Sequence, residues 1–338
     1  MTADDGGTSR RTVTIYDVAE HAGVAIATVS RALHGSAPVA TATRERVLAS
    51  VAELGFRPSH AGTSLAQRRH AANGIVFPDL SGPYYAEVLL GYEEAASQRG
   101  RSVLVLATRG RADAESAVRD LAGRVDGLVL LGRTVSDALV ADLTAGGLPV
   151  VLVARPGVVG ADAIGTDGHT AARLLGEHLA THHPRRVVFV GTPEDSPDVV
   201  ARWRGVHDAL AEHGIDLTVA PCRLDESSGT RVATDLLGGT HAPDALVCAN
   251  DEIALGAIVA AEGIGLAVGR DVAITGWDDV MAARHARPAL TTVRQPMRAL
   301  GALAAEALDE RITGSRTTLR HESLATDLVV RDSCGPHA

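Results

Sequence analysis

Lysine is absent: all 32 basic residues of this 338-residue chain are arginine. A GC-rich genome produces that bias, so it excludes no function. Aromatic residues make up only 3%, and each Tyr or Trp near a candidate site therefore carries more weight than usual. The cysteines are Cys222, Cys248 and Cys334. An odd number without paired short spacing argues against a disulfide framework and against a zinc site, so free thiols are expected. No apolar run reaches the roughly 18 residues of a membrane span. The start, MTADDGGTSRRT, lacks the apolar centre of a secretion signal. A soluble, cytoplasmic protein is expected. Catalytic signatures are missing too: there is no HExxH, no GxSxG elbow, no Walker loop, and no GxGxxG between a strand and a helix. Gly263-Ile264-Gly265 follows a helical segment, the wrong context for a phosphate cradle. His182-His183-Pro184 reads as a polar turn ahead of an apolar strand. Nothing here calls for an enzyme, a metal or a cofactor.

The length suits two domains of ordinary size, and 46% hydrophobic with 22% charged residues is a globular composition. Basic residues number 32 against 41 acids, a net charge of −9, which taken alone argues against nucleic-acid binding. The average conceals two unlike parts. Residues 10–70 carry eight Arg against four acids, whereas the chain after residue 70 carries 24 Arg against 35 acids. A basic head on an acidic body confines phosphate contact to the head and makes binding salt-sensitive.

After a polar tail over 1–12, residues 14–55 read as three short helices. Thr14 can cap the first, where Ile15, Val18, Ala19 and Ala22 recur at helical spacing before Gly23 stops it. The second runs from about Ala25 to Leu33 and breaks at His34-Gly35-Ser36. Thr41 can cap the third, in which Val47, Val51 and Leu54 share a face ahead of Gly55. A helix, a glycine turn and a second helix in this compass suggest a helix-turn-helix. Another short helix is expected from Pro58 to about Arg69. Beyond it, apolar runs of strand length alternate with helical segments: GIVFPDL, a helix over 84–99, SVLVLAT, a helix over 113–122, GLVLLG, PVVLVA, a helix over 168–181, RRVVFVG, a helix over 198–213, ALVCAN, a helix over 252–262, and DVAITGWD. Continuous apolar strands separated by helices indicate parallel sheets covered on both faces, and there are too many units for one compact sheet. The expected fold class is α/β, with two Rossmann-like lobes and a cleft between them.

The segment TIYDVAEHAGVAIATVSRALHG, followed by PVATATRERVLASVAELGFRPS, strongly resembles the DNA-binding head of the LacI/GalR repressor family. SLA, PDLSGPYY, RWRG, CANDEIALGA, and GWDD with TTVRQP extend the resemblance from about residue 12 to about residue 332. It implies a helix-turn-helix domain over 13–57, a hinge helix over 58–70 and a type I periplasmic-binding-protein-like core over 71–338. The core's N-lobe would span about 71–166 and 296–325, and its C-lobe about 167–293 and 326–332.

By this resemblance Ile26, Ala27 and Arg31 occupy base-reading positions in the major groove. Ile26 and Ala27 would read thymine methyls, and Arg31 can grip guanine O6 and N7. Tyr16, Thr28, Ser30 and Thr43 look like phosphate-positioning groups, and Ser59 is a further DNA-binding position. Ala25 departs from the family, which usually has a capping Ser there. Leu65 matches a leucine that wedges into the minor groove at a central CG step. A hinge helix this short, containing Gly62, is marginal alone and is expected to form on DNA.

In the cleft, Tyr84 and Tyr85 fall where an aromatic stacks on a sugar face. Arg202, Asn250, Asp278 and Gln295 match positions that hydrogen-bond hydroxyls, with Arg155 and Trp277 as further effector residues and Trp203 as a packing candidate. Ala154 stands where many sugar-binding members have Asp, and Gly82 where Asn is common, so an oligosaccharide, a nucleoside or a less polar ligand remains open. The resemblance implies a homodimer that reads a pseudo-palindromic operator on double-stranded DNA, and a repressor controlled by a small metabolite, with a sugar or oligosaccharide favoured. No leucine heptad for tetramerisation follows residue 325. A purine-type corepressor and a solute-binding protein on the same lobes are the alternatives.

Overall fold

The computed structural model describes residues 13–34, 37–56 and 70–335, which fall into two units divided between His70 and Ala71. The expected hinge helix, with Ser59, Gly62 and Leu65, lies outside the described residues.

The first unit consists of α1 (Ile15–Ala22), α2 (Ile26–His34) and α3 (Thr41–Leu54). Thr14 and Asp17 form a reciprocal capping box at the start of α1: Thr14 N donates to Asp17 Oδ2 at 2.7 Å, and Asp17 N donates to Thr14 Oγ1 at 3.4 Å. Gly23 ends α1 in the left-handed conformation, φ 64°. Val18, Ala19 and Ala22 meet Val29 and Ala32 of α2 and Val47 of α3 in one small core. Thr41 does not cap α3 as expected. It is the first helical residue; Ala40 holds the cap position, and its carbonyl accepts from Thr43 N at 2.9 Å and Arg44 N at 3.0 Å.

The second unit opens with β1 (Ala72–Phe77), α4 (Pro83–Gln98), β2 (Ser102–Ala107), α5 (Ala114–Ala122), β3 (Leu128–Leu131), α6 (Asp137–Ala145), β4 (Val150–Val153) and β5 (Asp162–Thr166). It continues with α7 (Gly168–Ala180), β6 (Val187–Val190), α8 (Pro197–Glu212), β7 (Leu217–Ala220), α9 (Glu226–Leu237), β8 (Ala245–Cys248), α10 (Asp251–Gly263) and β9 (Ala273–Thr275). It closes with α11 (Met281–His285), β10 (Thr292–Arg294), α12 (Met297–Thr313), β11 (His321–Leu324) and β12 (Asp327–Val329).

These strands form a six-stranded sheet in the order β11-β5-β4-β3-β1-β2 and a four-stranded sheet in the order β7-β6-β8-β9, both parallel throughout. β10 and β12 pair antiparallel. Alternate residues of the central strands feed opposite cores: Ile75, Val129 and Val151 pack on one face of the larger sheet, and Val76, Leu128 and Leu152 on the other. Two covered faces explain why these strands read as unbroken apolar runs. On the first face α4 packs against α12 with the backbones nearly touching. A Cβ on Gly91 would lie 2.0 Å from Arg298 O, and one on Gly301 would lie 2.0 Å from Val88 O. The chain passes between the lobes after β5, after β10 and after β11, and the strand C-termini of both sheets border a shared cleft.

Candidate functional site

Helix α2 divides cleanly into two faces. Val29 and Ala32 are buried against the head's core, while Ile26, Ala27 and Arg31 are exposed, with Ile26 at 40%. The spacing of Ile26, Ala27, Ser30 and Arg31 puts all four on the side turned from the core. Arg31 Nε donates to the Ala27 carbonyl at 3.0 Å, which lays the guanidinium stem along the outer face. Tyr16, in the first turn of α1, is 67% exposed, and Thr28, Ser30 and Thr43 are half-buried. Ile26 and Tyr16 are thus apolar or aromatic side chains that the small core leaves in water. Ala25 caps α2 through its backbone, its carbonyl accepting from Thr28 N at 2.8 Å.

The cleft holds a cavity of about 360 Å³, within the range of small-molecule sites. Tyr84 and Tyr85 enter it from the start of α4, where Pro83 occupies the first helical position. Their rings meet edge to face at 5.3 Å, and Tyr85 repeats the arrangement on Phe77 at 5.7 Å. Burial pushes the Tyr85 phenol up to about 12 and the Tyr84 phenol well above its ordinary value, so both hydroxyls stay protonated at neutral pH.

Arg202 rises from α8 as a buried cation. Its Nη1 donates to Ala249 O at 2.6 Å, and its guanidinium lies 4.9 Å from the centre of the Trp277 ring. Trp277 thus supports Arg202 from behind and is not itself in the cavity wall. Asn250 both lines the cavity and caps α10, its Oδ1 accepting from Ile253 N at 3.0 Å. Asp278 lines the cavity with φ 121° and accepts from Gln295 Nε2 at 2.9 Å. Gln295 in turn accepts from Thr166 Oγ1 at 2.9 Å and orients Asp278 from outside the wall. Burial raises the Asp278 carboxyl to about 7, with Arg202 opposing the shift.

Comparisons with known proteins match this arrangement. Residues 14–59 fit the model described as bacterial regulatory proteins, lacI family, and residues 176–334 fit a periplasmic binding protein-like domain. The HTH-type transcriptional regulator CelR of Thermobifida fusca is 34% identical, over 96% of this chain and 99% of its own length. The chain belongs to the lacI family of bacterial regulatory proteins. A solved lac repressor dimer bound to operator and an anti-inducer superposes with a TM-score of 0.85 at 28% identity, covering 96% of this chain and all of that one. A CelR–cellobiose complex gives a TM-score of 0.71 at 32% identity, covering 95% of this chain and 99% of that one.

Five of the expected effector residues of this lacI-family chain share the cavity wall: Tyr84, Tyr85, Arg202, Asn250 and Asp278. Arg155 does not join them. It is buried, donates to Gly132 O at 3.2 Å and Val135 O at 3.1 Å and pairs with Asp137, so it holds the loop between β3 and α6. Trp203 packs on the C-lobe core and against His207 at 5.2 Å, away from the cavity wall. Asp198 and Glu252 line the cavity without having been singled out from the sequence. Both carboxyls are raised by burial. The signal for Glu252 was its place in CANDE, two residues after the capping Asn250. Its carboxylate also fills the space beside Gly82, across the cleft.

Proposed function

We propose that this lacI-family transcriptional regulator is a homodimeric repressor whose operator affinity is set by a sugar or short oligosaccharide held between its lobes. One observation supports the ligand class above others: hydroxyl donors, carboxylates and a guanidinium converge on a cavity with an aromatic edge. Tyr84 and Tyr85 supply the edge, Asp198, Glu252 and Asp278 can accept from hydroxyls, and Arg202 and Asn250 can donate. A polyhydroxylated molecule leaving water needs both kinds of partner at nearly every oxygen. Cellobiose, bound in the structure of the similar CelR, is the first candidate.

On the DNA side, Ile26 and Ala27 read thymine methyls, Arg31 reads guanine, and Tyr16, Thr28, Ser30, Thr43 and Ser59 position the backbone. The family resemblance assigns residues 58–70 to the DNA-dependent hinge, with Leu65 at the central step of a pseudo-palindrome. Ligand binding changes the angle between lobes and so the affinity of the paired heads for operator. The protein works in the cytoplasm by binding, without catalysis.

A thermal-shift screen of mono- and disaccharides, with nucleosides as the contrast set, tests the ligand class. A ligand at 100 times its Kd stabilises its target by about 2.7 kcal/mol. Stabilisation by a sugar supports the proposal, and a response confined to nucleosides would replace it with purine-type corepression.

A further inference from the structure

Away from the cleft, the far end of the C-lobe brings together three soft or borderline donors. His178 lies in the last turn of α7, and His182 follows in the turn beyond it. Cys334 comes from the short helical turn Asp332–Cys334 and is 156 positions from His178 in the chain. His178 Nε2 is 3.3 Å from Cys334 Sγ and 3.5 Å from His182 Nε2, and one ligand atom from each of the three residues lies within 4.8 Å of the others. The imidazoles meet edge to face at 5.1 Å. Cys334 is buried, while both histidines keep partial exposure, so an ion has a route in from solvent.

We propose that His178, His182 and Cys334 form a zinc site with a fourth position open to water. The spacings fit the ion. Zinc bound at about 2.0–2.1 Å to nitrogen and about 2.3 Å to sulfur in a tetrahedron sets N···N edges of about 3.3 Å and N···S edges of about 3.6 Å. Two of the three edges are therefore already near their bound lengths. Thiolate and imidazole ligands together select zinc over magnesium or calcium, which prefer oxygen. Binding replaces the Cys334 proton by the metal and releases that proton to solvent. Because binding releases a proton, affinity for zinc rises with pH. Thr291 Oγ1, 2.9 Å from the sulfur, can donate to the thiolate as a supporting hydrogen bond. The consequence is mechanical: Ser333, next to Cys334, donates to Ile274 O at 2.5 Å and accepts from Thr291 N at 2.8 Å. A metal on Cys334 would fasten this terminal turn, and the strand ends it spans, to α7.

The test uses the full-length, tag-free chain with cobalt(II) as a spectroscopic stand-in and zinc in competition with a chromophoric chelator. One equivalent of cobalt should give tetrahedral visible bands and a thiolate charge-transfer band, which zinc displaces, and zinc should raise the melting temperature. C334S should abolish the charge-transfer band. C334S, H178N and H182N should each weaken zinc binding at least about tenfold, whereas C248A, with its thiol in the C-lobe core, should keep the band. Circular dichroism confirms that each variant is folded, and the H182N substitution at a partly exposed turn serves if C334S does not fold. Absence of a cobalt–thiolate band, or its persistence in C334S, would overturn the proposal and leave a histidine–cysteine hydrogen-bond chain only.

Discussion

The Glu252 carboxylate of the C-lobe occupies the space beside Gly82 of the N-lobe: a Cβ on Gly82 would lie 2.5 Å from Glu252 Oε2. Gly82 also sits at φ 90°, a conformation that only glycine adopts readily. Two costs thus oppose any side chain at 82, and they separate experimentally. The Glu252 carboxylate is the end of a flexible side chain and can swing aside, whereas the backbone cannot. Gly82→Ala should therefore destabilise the protein by about 1–3 kcal/mol through its backbone. Glu252→Ala should leave most of that loss in place. Denaturant unfolding of the two single variants and the double variant checks this; full rescue in the double variant would show that the carboxylate contact dominates.

Burial holds Asp278 at about 7 and Asp251 at about 6, so both bind protons in the folded chain where an unfolded chain has released them. A raised carboxyl makes stability fall as pH rises from the unfolded value of about 3.9 toward the folded one. The melting temperature should be higher at pH 5.5 than at pH 8. Asp271, lowered to about 2 by Arg270, acts with the opposite sign but only in more acidic solution. Asp278→Asn should flatten the upper part of this dependence. A melting temperature that climbs steadily from pH 5.5 to 8 in the parent protein would contradict the assignment.

Arg202 connects the cavity to the Ala249 carbonyl and the Trp277 face. Arg202→Ala removes a charged donor and should cost about 1.5–3 kcal/mol of stability. It should also abolish the thermal shift given by any ligand that stabilises the parent protein, while the head still binds operator. Ligand titration calorimetry beside operator binding checks both halves of the statement.

Of the side chains proposed to read bases, Arg31 has the most to lose. Arg31→Ala should reduce discrimination at one symmetric guanine pair by about 1–3 kcal/mol per half-site. Thr43→Ala, at a position proposed to contact the DNA backbone, should weaken binding evenly across sequences. Binding measured on a panel of operator variants at fixed salt separates the two patterns.

Much of this architecture was legible from the chain. The unbroken runs VVLV and VVFV announce β4 and β6 because both faces of those strands are buried. Strand β7, LTVA, was not singled out: it lies at a sheet edge with Thr218 and Val219 exposed, so no apolar run marks it. Helix α12, rich in alanine and packed closely on α4 through Gly301, likewise lacks a sharply divided face. Tyr84, Tyr85, Arg202, Asn250 and Asp278 were readable as a set because local motifs surround them. Arg155 lies outside the cavity wall, and a buried arginine after an apolar strand looks the same in sequence whether it faces the cleft or, as here, carbonyls of the next loop. The His178–His182–Cys334 group was invisible, since its sulfur arrives from a distant part of the chain.

In the proposed function one ligand in the cleft governs one operator through the head. Its most direct test is a fluorescence anisotropy titration of the selected operator at fixed salt, with and without a saturating concentration of the sugar that stabilises the protein. The operator Kd should change by at least about tenfold, equivalent to about 1.4 kcal/mol of coupling. Superimposable curves at ligand saturation would contradict it.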